Sequence, residues 1–248
     1  MVVGSILAAG RGTRLGSERP KQYLEVLGKP VLAWTLEQFE ASTVIDAIQV
    51  VCRAEDESTV RAIARQYGID KLRWVVPGGE SCPLSIASGV KHLRGILSEA
   101  DVFVLHMGVS PLVTPGDIAQ SVELCREKGC CFTMHPVNIC MARRGGDGWA
   151  DTDAPKEQFI ELNTPWAFRF GAVSGLYARL EEEGYRLKDA DYTLSLWLAD
   201  GRQAWYARGS DQGRMKITTA HDLTLLEAYL ARQTTKARDE ACEAVSRP

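Results

Sequence analysis

The sequence lacks any apolar run of about 18 residues, which excludes a transmembrane helix. Its amino end has no basic segment followed by an apolar core, so we expect no signal peptide and a cytoplasmic location. Positive charge is not in excess either, because 29 Lys and Arg face 32 Asp and Glu for a net charge of −3. General affinity for nucleic acid or for anionic membranes is therefore not expected.

Cysteine pairs with the spacing of a metal or redox motif are also missing. The seven cysteines are an odd number, and no two of them form a C-x-x-C pair. This pattern argues against zinc ligation and against a disulfide framework. We interpret the cysteines as thiols, most of them buried as small apolar side chains.

What the chain does contain is a regular alternation of short apolar strands and amphipathic helices. The apolar runs predict strands at residues 2–7, 47–52, 72–77, 101–106 and 130–137. Helical spacing predicts helices at residues 30–42, 56–68, 83–97 and 114–129. Such alternation indicates an α/β fold, a Rossmann-like and mostly parallel sheet with helices on both faces. The loops after Leu7, Pro77 and His106 should then share the edge where ligands bind.

The pattern breaks at residues 138–156, which are polar, rich in glycine and without a period. This segment is a hairpin tip, an arm that reaches a partner subunit, or a disordered loop. Beyond it we expect a helix at 172–183, strands at 203–207 and 215–218, and a closing helix at 219–233. The whole is read as one domain over residues 1–233, with a dimerisation arm at 138–160 and a polar tail at 234–248.

The most informative stretch is SILAAGRGTRLGSERPKQY, residues 5–23. Its glycines at positions 10, 12 and 16 follow G-x-G-x-x-x-G, which matches neither the dinucleotide fingerprint nor the P-loop. The small residues Ala8 and Ala9 leave room for a flat base beside the main chain. Gly10 and Gly12 permit turns with positive φ and expose N–H groups.

Cations are interspersed with these glycines. Arg14 and Lys21 would supply positive charge where negative charge grows during phosphoryl or nucleotidyl transfer. A solvated basic loop is the plain alternative. The fixed distance between the Ala-Ala-Gly strand end and Pro-Lys-Gln favours a loop that wraps a nucleotide's polyphosphate.

At this point the sequence resembles a known family. LAAGRGTRLG and PKQYLEVLGKPVL are similar to the sugar-phosphate nucleotidyltransferases, and most of all to the 2-C-methyl-D-erythritol 4-phosphate and ribitol 5-phosphate cytidylyltransferases. Three later pieces, at residues 76–90, 163–169 and 215–230, are similar and in the same order. The resemblance therefore covers almost the whole chain.

The resemblance implies a reaction. The phosphate of a small polyol, or a phosphonate, attacks the α-phosphorus of CTP in line, CMP is transferred and pyrophosphate leaves. No covalent intermediate forms, so positioning and charge do the work. The resemblance also implies Mg²⁺, a homodimer whose arm completes the partner's site, and a place in isoprenoid biosynthesis. The choice of CTP over UTP rests on the resemblance alone.

Residue roles follow from the same resemblance. It implies that Arg14, Lys21 and Lys216 contact the phosphates and act in catalysis. Lys156 stands about where the family has an arginine for the acceptor phosphate, so the charge is kept but the bidentate fork is lost. The nucleotide contacts that it implies are Ala8, Ala9, Gly10, Gly12, Gly79, Glu80 and Ser85.

Several positions depart from the family pattern. Met107 replaces an aspartate that would help to hold Mg²⁺, and a soft thioether is a poor ligand for that hard ion. Ser110 and Cys82 replace arginines, and Ile139 replaces an aspartate near the acceptor. Two hypotheses remain. The protein is a cytidylyltransferase with another acceptor and with Mg²⁺ held mainly by phosphates and waters, or a non-catalytic nucleotide-binding relative that serves as a partner or regulatory subunit.

Overall fold

A computed structural model of the chain describes residues 1–12, 19–146, 148–187 and 191–245. The strands are β1 Val2–Leu7, β2 Glu25–Val26, β3 Lys29–Pro30, β4 Ala47–Cys52, β5 Leu72–Pro77, β6 Val102–Met107, β7 Cys130–Pro136, β8 Met141–Arg144, β9 Ala150–Ala154, β10 Ile160–Arg169 and β11 Tyr206–Arg208. The helices are α1 Val31–Ala41, α2 Glu57–Gln66, α3 Cys82–Leu93, α4 Pro115–Lys128, α5 Phe170–Glu182, α6 Thr193–Ala199 and α7 Ala220–Val245. None of these helices is both long enough and apolar enough to cross a bilayer.

Seven strands form one sheet in the order β11-β7-β10-β6-β1-β4-β5. The pairs β1–β4, β1–β6, β4–β5 and β7–β11 are parallel, whereas β10 runs antiparallel to β6 and β7. The mostly parallel sheet is therefore confirmed. The strand β10 is an addition to the predicted set, because Pro165 and a register shift between Asn163 and Trp166 interrupt the alternation that marks a strand.

Helices cover both faces of the sheet, as predicted. In β1 all six residues are buried, and successive side chains point to opposite faces. Val2 and Ile6 belong to the core that includes residues of α1, α2 and α4. Val3 and Leu7 belong to the opposite core, which includes residues of α3, α5 and α6. Burial on both faces explains why the strand reads as a continuous apolar run.

Some predicted elements need correction. The helix α3 ends at Leu93 rather than at residue 97, because Gly95 adopts φ +80° directly after the cap residue Arg94. The predicted strand at 215–218 is an irregular segment, because Ile217 bonds to a loop and to a side chain instead of a neighbouring strand. The predicted strand at 203–207 begins later, at Tyr206. Helix α7 continues through Val245, beyond its predicted end at residue 233.

The irregular segment at 138–156 contains a hairpin. Its strands β8 and β9 pair antiparallel, apart from the main sheet. Two large apolar side chains are exposed here: Ile139 is 71% exposed and Trp149 is 59% exposed. Of the three alternatives, the structure favours the hairpin.

Candidate active site

The loops after the first, third and fourth predicted strands meet at one edge of the sheet. Leu7 is opposite Met107 in β6 and opposite Val51 in β4. The Gly108 N–H donates to the Leu7 carbonyl at 2.8 Å, and the Ala8 N–H donates to the Val51 carbonyl at 2.7 Å. Pro77, the last residue of β5, is opposite Cys52, the last residue of β4. The shared edge is therefore confirmed.

The segment between Leu7 and Lys21, here called the opening loop, is held at its base by main-chain and side-chain contacts. Gln22 Nε2 donates to the carbonyl oxygens of Ala8 at 2.7 Å and Gly10 at 3.0 Å. Gly12 has φ +70°, and a Cβ there would lie 3.2 Å from the Lys21 nitrogen. The positive φ expected at Gly12 is thus confirmed. Gly10 does not use that freedom, because it is not among the residues with positive φ.

One predicted catalytic lysine contacts the main chain next to another. Lys21 Nζ donates to the Ile217 carbonyl at 2.7 Å. The Ile217 N–H in turn donates to the Val109 carbonyl at 2.8 Å, in the loop after β6. Lys216 is the neighbour of Ile217 in the chain and is exposed. The structure therefore brings Lys21 and Lys216 to the same edge as Ala8.

The third predicted catalytic residue, Arg14, lies outside the described residues. The segment that carries Lys216 is fixed from its other end by Asp222. This carboxylate accepts from the Thr218 N–H at 2.8 Å and from the Thr219 N–H at 2.7 Å. Burial alone would raise the pKa of Asp222, but the Thr219 and Thr218 amides outweigh it and lower the pKa below its ordinary value.

The loop between β5 and α3 packs against the opening loop. A Cβ on Gly78 would lie 2.7 Å from the Ala9 Cβ and 2.9 Å from Ser85 Oγ. Gly79 and Glu80 are exposed on this loop. The predicted nucleotide contacts at Ala9, Gly79 and Glu80 therefore belong to adjoining loops.

Ser85 is different from its predicted neighbours because it is only 4% exposed. Its Oγ accepts from the Gly79 N–H at 3.1 Å and lies 3.0 Å from the Ser81 carbonyl, to which it can donate. The hydroxyl is thus engaged within the protein, where it shapes the Gly79 turn.

The end of β6 carries no acidic side chain. Met107 is half-buried, and its N–H donates to Thr164 Oγ1 at 3.3 Å. Ser110 is fully buried, and its carbonyl accepts from His106 Nε2 at 3.0 Å. Burial lowers the pKa of His106 to about 4, so the imidazole is neutral at pH 7 and faces the interior.

A protein-built Mg²⁺ site is not found in the described part of the chain. It contains no group of three or more His, Cys, Asp or Glu side chains placed to hold a metal ion. The thioether at Met107 adds no hard oxygen. The residues present therefore do not fit a site in which the protein alone binds Mg²⁺.

The predicted acceptor residue stands apart from this cluster. Lys156 is exposed in a single turn of 3₁₀ helix between β9 and β10. Among the described residues, no hydrogen bond or ion pair joins it to another predicted site residue. Within one chain the structure thus does not bring Lys156 to the two lysines.

Cys82 is the first residue of α3 and is half-buried.

Three features of the site have no counterpart among the predicted site residues. Gln22 is visible in the sequence only as the residue after Lys21, and the Ile217 carbonyl gives no sequence signal. An open cleft of about 650 Å³ lies beside Lys216 and is also lined by Tyr229. The cleft is also lined by Glu161 and Arg214, which form an ion pair.

Comparison with known proteins identifies relatives over most of the chain. The sequence profile of the family described as IspD, 2-C-methyl-D-erythritol 4-phosphate cytidylyltransferase, matches residues 2–232. A ribitol-5-phosphate cytidylyltransferase from Lacticaseibacillus paracasei is 31% identical over 230 residues, which cover 93% of this chain and 98% of the relative. A 2-C-methyl-D-erythritol 4-phosphate cytidylyltransferase from Pelotomaculum thermopropionicum is 32% identical over 234 residues, which cover 94% of this chain and 95% of the relative.

Solved structures agree on the fold. A 4-diphosphocytidyl-2C-methyl-D-erythritol synthase from Anaerococcus prevotii superposes with a TM-score of 0.77 at 24% identity and covers 93% of this chain and 96% of its own. A 2-C-methyl-D-erythritol 4-phosphate cytidylyltransferase from Thermus thermophilus superposes with a TM-score of 0.69 at 24% identity. The match covers 94% of this chain and 100% of the solved chain. The chain therefore belongs to the 2-C-methyl-D-erythritol 4-phosphate cytidylyltransferase family of nucleotidyltransferase enzymes.

Proposed function

We propose that this protein transfers CMP from CTP to the phosphate of a small polyol phosphate and releases pyrophosphate. The observation that carries the proposal is the contact between Lys21 Nζ and the Ile217 carbonyl. The contact joins Lys21 to the segment that carries Lys216, at the carboxyl edge of a mostly parallel sheet, where ligands of such folds bind.

The reaction needs no nucleophile from the protein. It needs positive charge beside the triphosphate and correct positioning of the two substrates. An oxygen of the acceptor phosphate attacks the α-phosphorus, and the bond from that phosphorus to the bridging oxygen of pyrophosphate breaks. We assign to Lys21, Lys216 and Arg14 the stabilisation of negative charge on the triphosphate as this bond breaks. We assign to Ala8, Ala9 and Gly79 the contacts with the nucleoside.

We propose that Mg²⁺ arrives with the nucleotide, held mainly by phosphate oxygens and waters. The neutral, half-buried Met107 and the lack of an acidic group of three in the described residues support this arrangement. Bound there, the ion would neutralise part of the triphosphate charge. The lysines and main-chain amides would still have to orient the α-phosphorus.

The acceptor is proposed as a polyol phosphate or phosphonate of the size that the relatives' names indicate. The cleft beside Lys216 has room for such a molecule and carries Arg214 and Gln212 as donors. Lys156 would contact the acceptor phosphate from a second subunit, because it is exposed beside the hairpin. We accordingly propose a homodimer, for which light scattering should give twice the chain mass of 27.3 kDa.

The experiment is a pyrophosphate-release assay with CTP, Mg²⁺ and a panel of acceptors. The panel contains 2-C-methyl-D-erythritol 4-phosphate, ribitol 5-phosphate, glycerol 3-phosphate and a short polyol phosphonate, with UTP as the alternative nucleotide. Release with CTP and one acceptor supports the proposal. No pyrophosphate release with any acceptor, while CTP still binds, favours the non-catalytic alternative. The family relatives lend no support to that alternative, since they are named as enzymes.

A further inference from the structure

Gln22 is a buried amide at the base of the opening loop. It is only 1% exposed, and its Nε2 is 2.7 Å from the Ala8 carbonyl and 3.0 Å from the Gly10 carbonyl. A primary amide nitrogen carries two N–H donors, so both are used on the backbone. No ligand contact is therefore needed to explain its burial.

The two carbonyls belong to the segment proposed to receive the nucleotide. Ala8 is held on both sides, since its N–H bonds to the Val51 carbonyl in β4 and its own carbonyl accepts from Gln22. Gly10 is exposed, and among the described residues no atom lies within 4 Å of the place a Cβ would take. Packing thus contributes little at Gly10, and the hydrogen bond from Gln22 holds its carbonyl.

The side chain that makes these bonds adjoins Lys21 in the same 3₁₀ turn. Lys21 reaches the Ile217 carbonyl at 2.7 Å. In this short turn, the Gln22 side chain therefore holds the main chain of residues 8–10. The Lys21 side chain holds the segment that carries Lys216.

We infer that Gln22 is a positioning residue for the nucleotide: by fixing the Ala8 and Gly10 carbonyls, it orients the peptide groups that bind CTP. This inference rests on the proposed function. Glutamine suits the role because a carboxylate cannot donate to two carbonyls, an apolar side chain leaves both unpaired, and a lysine would bury a charge.

The chain offers a matched control in Gln49, a second buried glutamine in the same sheet. Gln49 is 0% exposed; its Oε1 accepts from Ser5 Oγ at 2.8 Å and its Nε2 donates to the Gly89 carbonyl at 3.3 Å. The Gln49 amide makes no hydrogen bond to the opening loop within the described residues. The variants Gln22→Met and Gln49→Met each remove one buried amide, and both should lower the melting temperature.

The measurement is CTP affinity by titration calorimetry and KM for CTP and for the acceptor. We expect Gln22→Met to weaken CTP binding and to raise KM for CTP about tenfold, with KM for the acceptor unchanged. Gln49→Met should bind CTP as the wild type does. Equal CTP affinity in wild type and Gln22→Met would overturn the inference.

If Gln22→Met does not fold, a second variant tests the role of Gln22. Gln22→Glu keeps the shape but donates one hydrogen bond only when it is protonated. Its CTP affinity, relative to wild type at the same pH, should therefore rise as the pH is lowered from about 8 to about 6. A ratio that does not change with pH would count against the role of Gln22. If the wild-type chain itself bound no CTP, the proposed function would fail, and the role of Gln22 with it.

Discussion

Lys21 Nζ and the Ile217 carbonyl are 2.7 Å apart in space and 196 residues apart in sequence. The bond connects the glycine-rich opening loop to the irregular segment before α7. Because the Ile217 N–H also bonds to Val109, the same residue ties both pieces to the end of β6. Three loops of the site are thus joined at one residue, Ile217.

Lys21→Met should lower kcat by about 100-fold or more, because the variant keeps most of the side-chain volume but removes the charge. Pyrophosphate release at saturating CTP measures the effect. Lys71→Met is the control, since Lys71 Nζ also donates to backbone carbonyls, those of Glu40 and Ser42, but away from the site. A kcat for Lys21→Met that equals the value for Lys71→Met would remove Lys21 from the catalytic set.

Gly78→Ala should both destabilise the protein and weaken CTP binding. The new Cβ would lie 2.7 Å from the Ala9 Cβ, so the two loops must separate. Overpacking of this kind costs about 1–3 kcal/mol of the free energy of unfolding, which urea denaturation measures. Gly10→Ala should unfold like wild type, because the described residues leave open space there and φ is not positive. Comparable stability of the two variants would show that the loops are not packed as described.

His106 should make the protein less stable in mild acid. Burial lowers its folded pKa from the ordinary histidine value of 6.5 to about 4, although the Ser110 carbonyl and Asp117 act in the opposite direction. Folding therefore favours the neutral form: this stability is fully present above pH 6.5 and is lost as the pH falls toward 4, by about 3 kcal/mol. Urea midpoints measured across this window report the loss.

The variant His106→Gln should show a shallower loss of stability between pH 6.5 and pH 4. His92→Gln, which changes an exposed histidine, is the control. His135, whose pKa burial also lowers, contributes to the slope that remains. Identical slopes in wild type and His106→Gln would mean that His106 does not titrate differently in the folded state.

Met107→Asp should reduce the Mg²⁺ concentration needed for half-maximal activity, because it adds a hard oxygen ligand at the end of β6. It should also lower stability, since Met107 is half-buried against apolar cores. Met107→Asn, which is polar without a charge, is the control. If the aspartate and asparagine variants respond alike to Mg²⁺, the metal does not approach residue 107.

The regular part of the fold could be predicted because local signals mark it. Thr114 forms a capping box with Asp117 at the start of α4, and Gly129 ends the helix with φ +89°. Both residues stand at the boundaries that sequence reasoning assigns. The apolar run of β1 likewise needs burial on both faces, which a parallel sheet supplies.

The remaining parts depend on contacts between distant segments. In β10 the proline at 165 hides a strand whose pairing with β6 and β7 is settled by tertiary packing. The segment at Ile217 alternates like a strand, yet its hydrogen bonds go to Lys21 and Val109. Gln22 belongs to the Pro-Lys-Gln motif, but the sequence does not give its role, which follows only from the two carbonyls that it meets.

The most direct measurement is ³¹P NMR of the wild-type protein with CTP, Mg²⁺ and either 2-C-methyl-D-erythritol 4-phosphate or ribitol 5-phosphate. Our proposal predicts loss of the CTP signals in step with the appearance of pyrophosphate and two coupled signals of a CDP-polyol. Persistence of CTP with both acceptors, or its conversion to CMP or CDP without a CDP-polyol, would contradict it.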